Sequence, residues 1–450
     1  MDAEAGDDVE IDLVGAPFAV LESDPGLFTM LLRKLGVEGL EVTEVYDIAP
    51  WAIDHLNPRG LIFCYLCPDA TESGEDELYD GPDLDAEDVW FAHQLTDDAC
   101  ASQALLNVIF NCEGIELGDN LNMFLEDTRK MSPEMKGLSI TNSSAIRDAH
   151  NSFARPVDVH ASRHAAASKA AKNAKRKAET SAPKRKTGKP TSAKRKKPQK
   201  SNDKQDSFHF IGYVPCGGKV WELDGLRFSG PLEVGDVPPG SNWTDVVRPA
   251  LRMRMQRYIS ADDAAVNDIR YSLLAIVDDK FCKASDEMEM LKRERLALER
   301  RLQECHSDEW SGQVDKALHD GVTETFTTSA HPASNGPTFS KDFGSRKMEK
   351  EIAILDMPVR SVPAAWEKCV QSAMSVKMTI DEEVEKSKNA NVEHINRVFD
   401  YEPFFESFIT SMHNEGLLTS ILSPHKAKKS KRPQPPYCVI VMFFGIASPL

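Results

Sequence analysis

No stretch of about eighteen apolar residues occurs in this 450-residue chain, so its sequence predicts no membrane span. The most apolar stretch, "YCVIVMFFGIASPL" at residues 437–450, stays apolar over only about ten residues and fits neither a span nor a lipidation signal. The opening "MDAEAGDDVEID" is acidic and has no apolar core, so no export signal is expected. Nine cysteines in irregular positions, without such a signal, point to reduced thiols in the cytosol or nucleus. Cys64 and Cys67 have the spacing of half a zinc site, but no second CxxC accompanies them. They read as structural cysteines of a buried strand, "GLIFCYLC", and no metal or cofactor is called for. Aromatic residues are sparse at 8% and none interleaves the main basic cluster, which argues against stacking on exposed bases. There is no internal repeat.

Charge is present and unevenly placed. The chain carries a net −17, yet Arg163 to Lys204 holds sixteen Lys and Arg against only Glu179 and Asp203. Setting that +14 aside leaves the remainder near −31, so the body is acidic and total charge is no evidence for nucleic-acid binding. The basic stretch has no large apolar residue and is expected to be disordered over about 157–206. Its clusters "KRK", "KRK" and "KRKK" read first as a nuclear-import signal and second as a weak nucleic-acid contact.

Around this insert the pattern is that of a mixed α/β domain. "SDPGLFTMLLRKLGV" is a helix with Ser23 or Asp24 as its cap, Pro25 at its start and Gly36 at its end. The expected organisation is an acidic tail at 1–15, a catalytic domain over 16–278 and a charged helix at 279–306. A flexible linker at 307–345, a helical region at 346–425 and a basic, then apolar, tail at 426–450 follow. In the helical region Phe404, Phe405, Phe408, Ile409 and Met412 share helical spacing. Most of that stripe is expected to be core, with a smaller part open to a partner.

Two short stretches carry chemistry. In "DDACASQALLNVIF" the residues Ala101, Ala104, Leu105, Val108 and Ile109 mark one buried helical stripe, with Asp97 or Asp98 as cap and Cys100 in the first turn. A thiol there is either a small core residue or a nucleophile activated by the helix N-terminus. In "FHFIGYVPCGGKVWELDGL" Gly217-Gly218 marks a tight hairpin turn. Centring the hairpin there pairs Cys216 with Lys219 and Ile211 with Asp224, placing His209 and Asp224 on one face. An imidazole held by a carboxylate is what a thiol nucleophile needs to lose its proton. Gln94, six residues before Cys100, is a candidate amide donor for an oxyanion.

These stretches, with "FAHQLTDDACASQALLN", "MKGLSITNSSAIRDAHNSFARP" and "WTDVVRPALRMRM", closely resemble the ubiquitin carboxyl-terminal hydrolases, a cysteine peptidase family. The likeness covers about residues 16–156 and 206–278, with the order Gln, Cys, His, Asp and both spacings preserved. One departure is Phe18, where relatives often carry Trp. The resemblance implies a papain-like ubiquitin hydrolase fold: α/β, a central antiparallel sheet flanked by helices, with a C-terminal helical extension. It assigns Cys100 as nucleophile, His209 as general base and acid, Asp224 as its orienting partner and Gln94 as oxyanion donor, with no cofactor and no metal.

"NVEHINRVFDYEPFFESFITSMHNEGLLTSIL" resembles the extension of the proteasome-associated subfamily and of a chromatin-bound relative. The implied partners are ubiquitin and its conjugates, plus a proteasomal ubiquitin receptor or chromatin-complex adaptor docking on residues 346–425, with the protein in nucleus and cytoplasm. The basic insert falls in the loop that crosses the cleft in this family, where it would widen the gate for bulky conjugates. A non-catalytic ubiquitin-binding scaffold with a basic arm is the alternative.

Overall fold

The computed structural model describes residues 16–67, 84–181, 207–258, 271–327 and 339–418. The acidic tail, most of the acidic loop after Cys67, the insert beyond Ser181 and the basic and apolar C-terminal tail lie outside the described residues. The strands are β1 (Leu40–Glu44), β2 (Gly60–Cys67), β3 (Ser207–Cys216), β4 (Lys219–Leu223), β5 (Leu232–Asp236) and β6 (Tyr271–Asp278). They form one antiparallel sheet in the order β1-β6-β2-β3-β4-β5. Helices of the catalytic region are α1 (Pro25–Leu35), α2 (Pro50–Ile53), α3 (Cys100–Ile109), α4 (Gly118–Thr128), α5 (Pro133–Asn142), α6 (Ser144–Asn151), α7 (Pro156–Ser181) and α8 (Trp243–Tyr258). As expected, Asp24 caps α1 through the Leu27 amide, and Gly36 ends it in the left-handed conformation.

The period-2 alternation of the strands sorts side chains into two cores. Ile62, Cys64, Phe210, Val214, Trp221 and Leu274 pack with α1 and α3 on one face. Leu61, Phe63, Ile211, Tyr213, Val220 and Leu273 pack on the other, with Val247 and Leu251 of α8. Helix α3 lies very close to the sheet because two strand positions have no side chain. A Cβ on Gly60 or Gly212 would meet Val108 at 2.3 or 2.6 Å.

Helix α3 is buried on every side, not along one stripe as its apolar periodicity suggests. Its polar residues are satisfied internally, which lets them sit in the core. Ser102 meets His150 Nδ1 at 2.7 Å, while His150 Nε2 reaches the Ala19 carbonyl at 2.7 Å. A carbonyl only accepts, so His150 is the neutral Nε2–H tautomer and Ser102 donates to Nδ1. Phe18, the departure from the family, is buried edge-on against the same ring at 4.9 Å, so its effect is on packing.

Burial pushes the His150 ring down to about 4, with the Ala19 hydrogen bond only partly opposing it. Between that value and the ordinary 6.5 the unfolded chain binds the extra proton. Stability from this group is therefore complete above about pH 6.5 and lost as pH falls toward 4. The expected loss is about 3 kcal/mol. Chemical denaturation at a series of pH values should show that slope in the wild type and a shallower one in His150→Gln, whatever its absolute stability.

Two expectations are corrected. The insert, read as disordered from residue 157, runs as the helix α7 to Ser181. Pro156 starts it and its Ala, Lys and Arg content favours helix without any need for a core. Past Ser162 its described side chains are exposed except half-buried Ser168. The 307–345 linker is likewise ordered in its first half, as a 3-10 turn (Ser307–Gln313) followed by α10 (Lys316–Thr325). Polar composition there conceals Trp310, Leu318, Val322 and Phe326, which pack with Trp366.

Beyond the sheet, α9 (Lys280–His306) packs its Met288, Leu291, Leu298 and Leu302 seam on α12 (Val362–Val398). Arg301 closes the C-terminal end of α11 (Phe343–Asp356) by donating to the Ile354, Leu355 and Met357 carbonyls. Contacts divide the chain after Phe399. In the second unit, α13 (Glu402–Asn414) leaves Phe404, Phe405, Phe408 and Ile409 each at least 50% exposed. The stripe expected to be mostly core is thus surface, because among the described residues of this unit no second layer packs on α13. Among the described residues no helix is long and apolar enough to cross a membrane.

Candidate active site

Cys100 opens α3, preceded by a 3-10 turn over Asp97–Ala99. The residue at the cap position of α3 is Ala99, with no side-chain bond to the helix, rather than the expected Asp98; the side chain of Asp97 lies outside the described residues. The first-turn amides of Cys100 and Ala101 act on the sulfur, favouring its anion. The thiol is 8% exposed and donates to the Phe208 carbonyl at 3.6 Å. Phe208 is the backbone neighbour of His209 in β3, so helix and strand meet where the two candidate side chains begin.

The hairpin has the register read from Gly217-Gly218, with Cys216 opposite Lys219 and Gly212 opposite Leu223. One step further, just past β4, Asp224 Oδ1 accepts from His209 Nε2 at 2.7 Å and from the Leu226 amide at 3.0 Å. A carboxylate only accepts, so the neutral ring carries its proton on Nε2 and keeps Nδ1 to receive another. Tyr65 of β2 stacks edge-on against the ring at 5.5 Å. The structure therefore joins His209 to Asp224 and sets the Cys100 sulfur against the strand that carries the ring. Its hydrogen-bond partner is that strand's carbonyl.

Gln94 is placed by residues that sequence reasoning passed over. Gln103, Asn107 and Asn111 recur every four residues, on one side of the α3 segment. Asn111 exchanges hydrogen bonds with the amide and carbonyl of Trp90, both at 2.8 Å. Asn107 does the same with Ala92, at 2.9 and 3.3 Å, and Gln103 adds a bond to the Ala92 carbonyl at 2.6 Å. These amides act as a strand edge made of side chains and hold the extended segment that ends in Gln94. Beyond it, the Gln94 amide donates to the Gly225 carbonyl at 2.8 Å, and its Nε2 to the Thr96 carbonyl at 3.1 Å. Polar residues at i, i+4 and i+8 in an otherwise apolar helix were the available signal.

Close contacts fix the same segment from the other side. A Cβ on Gly137 of α5 would lie 2.0 Å from the His93 carbonyl, and one on Gly225 would lie 3.1 Å from Gln94 Cβ. The backbone carrying Gln94 thus has little room to move.

Electrostatics separate the thiol from the acid. Burial pushes Cys100 up to about 12, reinforced by Cys64 and Asp98 and only partly offset by the Ala101 and Cys100 amides. The resting sulfur is a neutral thiol. At Asp224 burial acts upward, but the His209 hydrogen bond and charge, the Leu226 amide and Arg254 outweigh it and hold the carboxyl below its ordinary range. A groove of about 620 Å³ lies at the opposite end of α3, lined by Arg59, Cys112, Cys216 and Trp243. It contains none of the four residues singled out by sequence.

The sequence model of "Ubiquitin carboxyl-terminal hydrolase, family 1" matches residues 18–256. The chain is 33% identical over 309 residues to ubiquitin carboxyl-terminal hydrolase isozyme L5 of Dictyostelium discoideum, covering 68% of this chain and 75% of that protein. It is 31% identical over 280 residues to ubiquitin carboxyl-terminal hydrolase ubh-4 of Caenorhabditis elegans, covering 61% and 71%. With ubiquitin carboxyl-terminal hydrolase BAP1 of Xenopus tropicalis it shares 33% identity over 298 residues, 63% of this chain but 37% of that one. Among solved structures, Trichinella spiralis UCH37 bound to ubiquitin vinyl methyl ester matches with a TM-score of 0.43 and 26% identity, over 69% of this chain and 99% of that one.

Proposed function

Because this chain belongs to the ubiquitin carboxyl-terminal hydrolase family of cysteine peptidases, we propose that it cleaves peptide and isopeptide bonds after the C-terminal glycine of ubiquitin, with Cys100 as nucleophile. The observation that carries this reading is the His209–Asp224 hydrogen bond, which leaves Nδ1 as the proton acceptor on the strand against which the Cys100 sulfur rests. As the sulfur attacks the glycine carbonyl, its proton passes to Nδ1. The oxyanion is met by the α3 N-terminal amide and by Gln94 Nε2 once it leaves the Thr96 carbonyl. Collapse expels the amine with the proton from His209 and leaves a thioester. Water, deprotonated by His209, then releases ubiquitin and restores the thiol.

Ubiquitin carrying a fluorogenic C-terminal amide tests the reading directly. Turnover by the wild type is expected. Binding without turnover, even with a docking partner present, would favour the scaffold.

The four exposed apolar side chains of α13 support a docking partner on the C-terminal region, of the proteasomal-receptor or chromatin-adaptor kind. The basic clusters support import to the nucleus as well as a cytoplasmic pool. The insert joins α7 to β3 and is proposed to widen the gate over the cleft. Replacing residues 160–204 by a short linker should slow cleavage of a large ubiquitin–protein conjugate while sparing the small fluorogenic substrate; equal slowing of both, or of neither, would sink the gating idea.

A further inference from the structure

Glu222 stands two residues before Asp224 at the end of β4 and is only 4% exposed. A carboxylate at that depth requires partners. Tyr213 of β3 donates its hydroxyl to Oε2 at 2.9 Å, and Arg254 of α8 donates Nε to Oε2 at 3.2 Å and Nη2 to Oε1. Arg227 brings Nη1 to 3.9 Å from Oε1. Three segments (β3, α8 and the turn after Asp224) thus converge on one buried acid.

We propose that Glu222 and Arg254 are positioning residues for the proposed hydrolysis: a buried ion pair, close to neutral as a unit, that fixes the turn bearing Asp224 and sets the potential at the His209–Asp224 pair. This rests on the reading of Cys100, His209 and Asp224 given above.

The physical requirement is balance. Arg254 acts on Asp224 as well as on Glu222. Without Glu222 its whole charge would compete with His209 for the Asp224 carboxylate. Without Arg254, Glu222 would be a second buried anion close along the same strand. The forked contact between guanidinium and carboxylate keeps both charges engaged with each other. The charged and titratable groups that bear on the His209–Asp224 pair are Tyr65 from β2, Tyr213 from β3, Glu222 from β4, Arg254 from α8 and Arg227 from the turn. On the thiol side they are Asp98 and Cys64.

The test is the pH profile of kcat/KM on the fluorogenic ubiquitin substrate for Glu222→Gln, Arg254→Gln and the double variant. Loss of the cation makes the site more negative, so Arg254→Gln should move both limbs to higher pH, by about half a unit or more. Loss of the anion does the reverse, so Glu222→Gln should move both limbs to lower pH. The double variant, neutral and nearly isosteric, should return both limbs close to those of the wild type.

A role in packing alone would scale the rate and leave the limbs in place. Limbs that stay put, or single variants that shift the same way, overturn the inference. If a single variant fails to fold, the double variant decides, and a displaced profile there counts against the proposal. Cys100→Ala separates the layers: full turnover in that variant sinks the underlying reading, whereas a dead Cys100→Ala with unmoved limbs elsewhere sinks only this one.

Discussion

Cys100→Ala should lower turnover of the fluorogenic ubiquitin substrate by about 10⁴-fold or more, the loss expected when the nucleophile of a covalent mechanism is removed. Binding of ubiquitin should persist, because an alanine at the first position of α3 keeps the helix and removes only a sulfur with one carbonyl contact. A ubiquitin bearing a C-terminal electrophile should add to the wild type and fail to add to the variant, a difference that intact mass reads without kinetics. The same site should resist a small alkylating agent near neutral pH. Burial holds the thiol at about 12, so the thiolate fraction is small until substrate draws the proton onto His209. Rapid alkylation of Cys100 in the free protein at pH 7 would contradict the buried thiol.

The second large effect concerns Asp224, where two substitutions separate orientation from charge. Asp224→Ala removes the acceptor for both the His209 ring and the Leu226 amide, freeing the imidazole to rotate. A loss of roughly 10³-fold in kcat/KM is expected from the misplaced base. Asp224→Asn differs because a single oxygen, Oδ1, accepts both hydrogen bonds. An asparagine can present its carbonyl there, keep the Nε2–H tautomer and lose only the charge that stabilises the imidazolium. Its expected cost is nearer 10-fold, the worth of one charge-assisted hydrogen bond. Stopped-flow turnover of the two variants decides. If Asn proves as damaging as Ala, the charge rather than the orientation dominates.

Much of this geometry could be read before folding was considered, because the signals are local. The Gly217-Gly218 turn fixes the hairpin register within about fifteen residues, and with it the pairing that brings His209 to Asp224. Asp24, Pro25 and Gly36 delimit α1 for the same reason: caps act on neighbouring amides. The errors also have local causes. Polar composition at 307–327 hides a hydrophobic spacing of four, and the lack of large apolar residues in an alanine-rich basic run is no bar to α7, which starts with Val159 packed on the catalytic core and continues in residues of high helix propensity. Gln103, Asn107 and Asn111 show in the sequence only as polar residues four apart; that they bond the extended segment before α3 is set by tertiary packing, which their spacing does not name.

The sequence by itself determined how the hairpin pairs and named the candidate side chains, since turn residues and strand alternation act over a few positions. Only the tertiary structure decided that α3 is buried on all sides, that the thiol rests on the Phe208 carbonyl as a neutral group and that Glu222 and Arg254 stand behind Asp224. Those facts depend on close approach between distant segments and on the low dielectric they create, and neither distance nor dielectric is written in the order of residues along a chain.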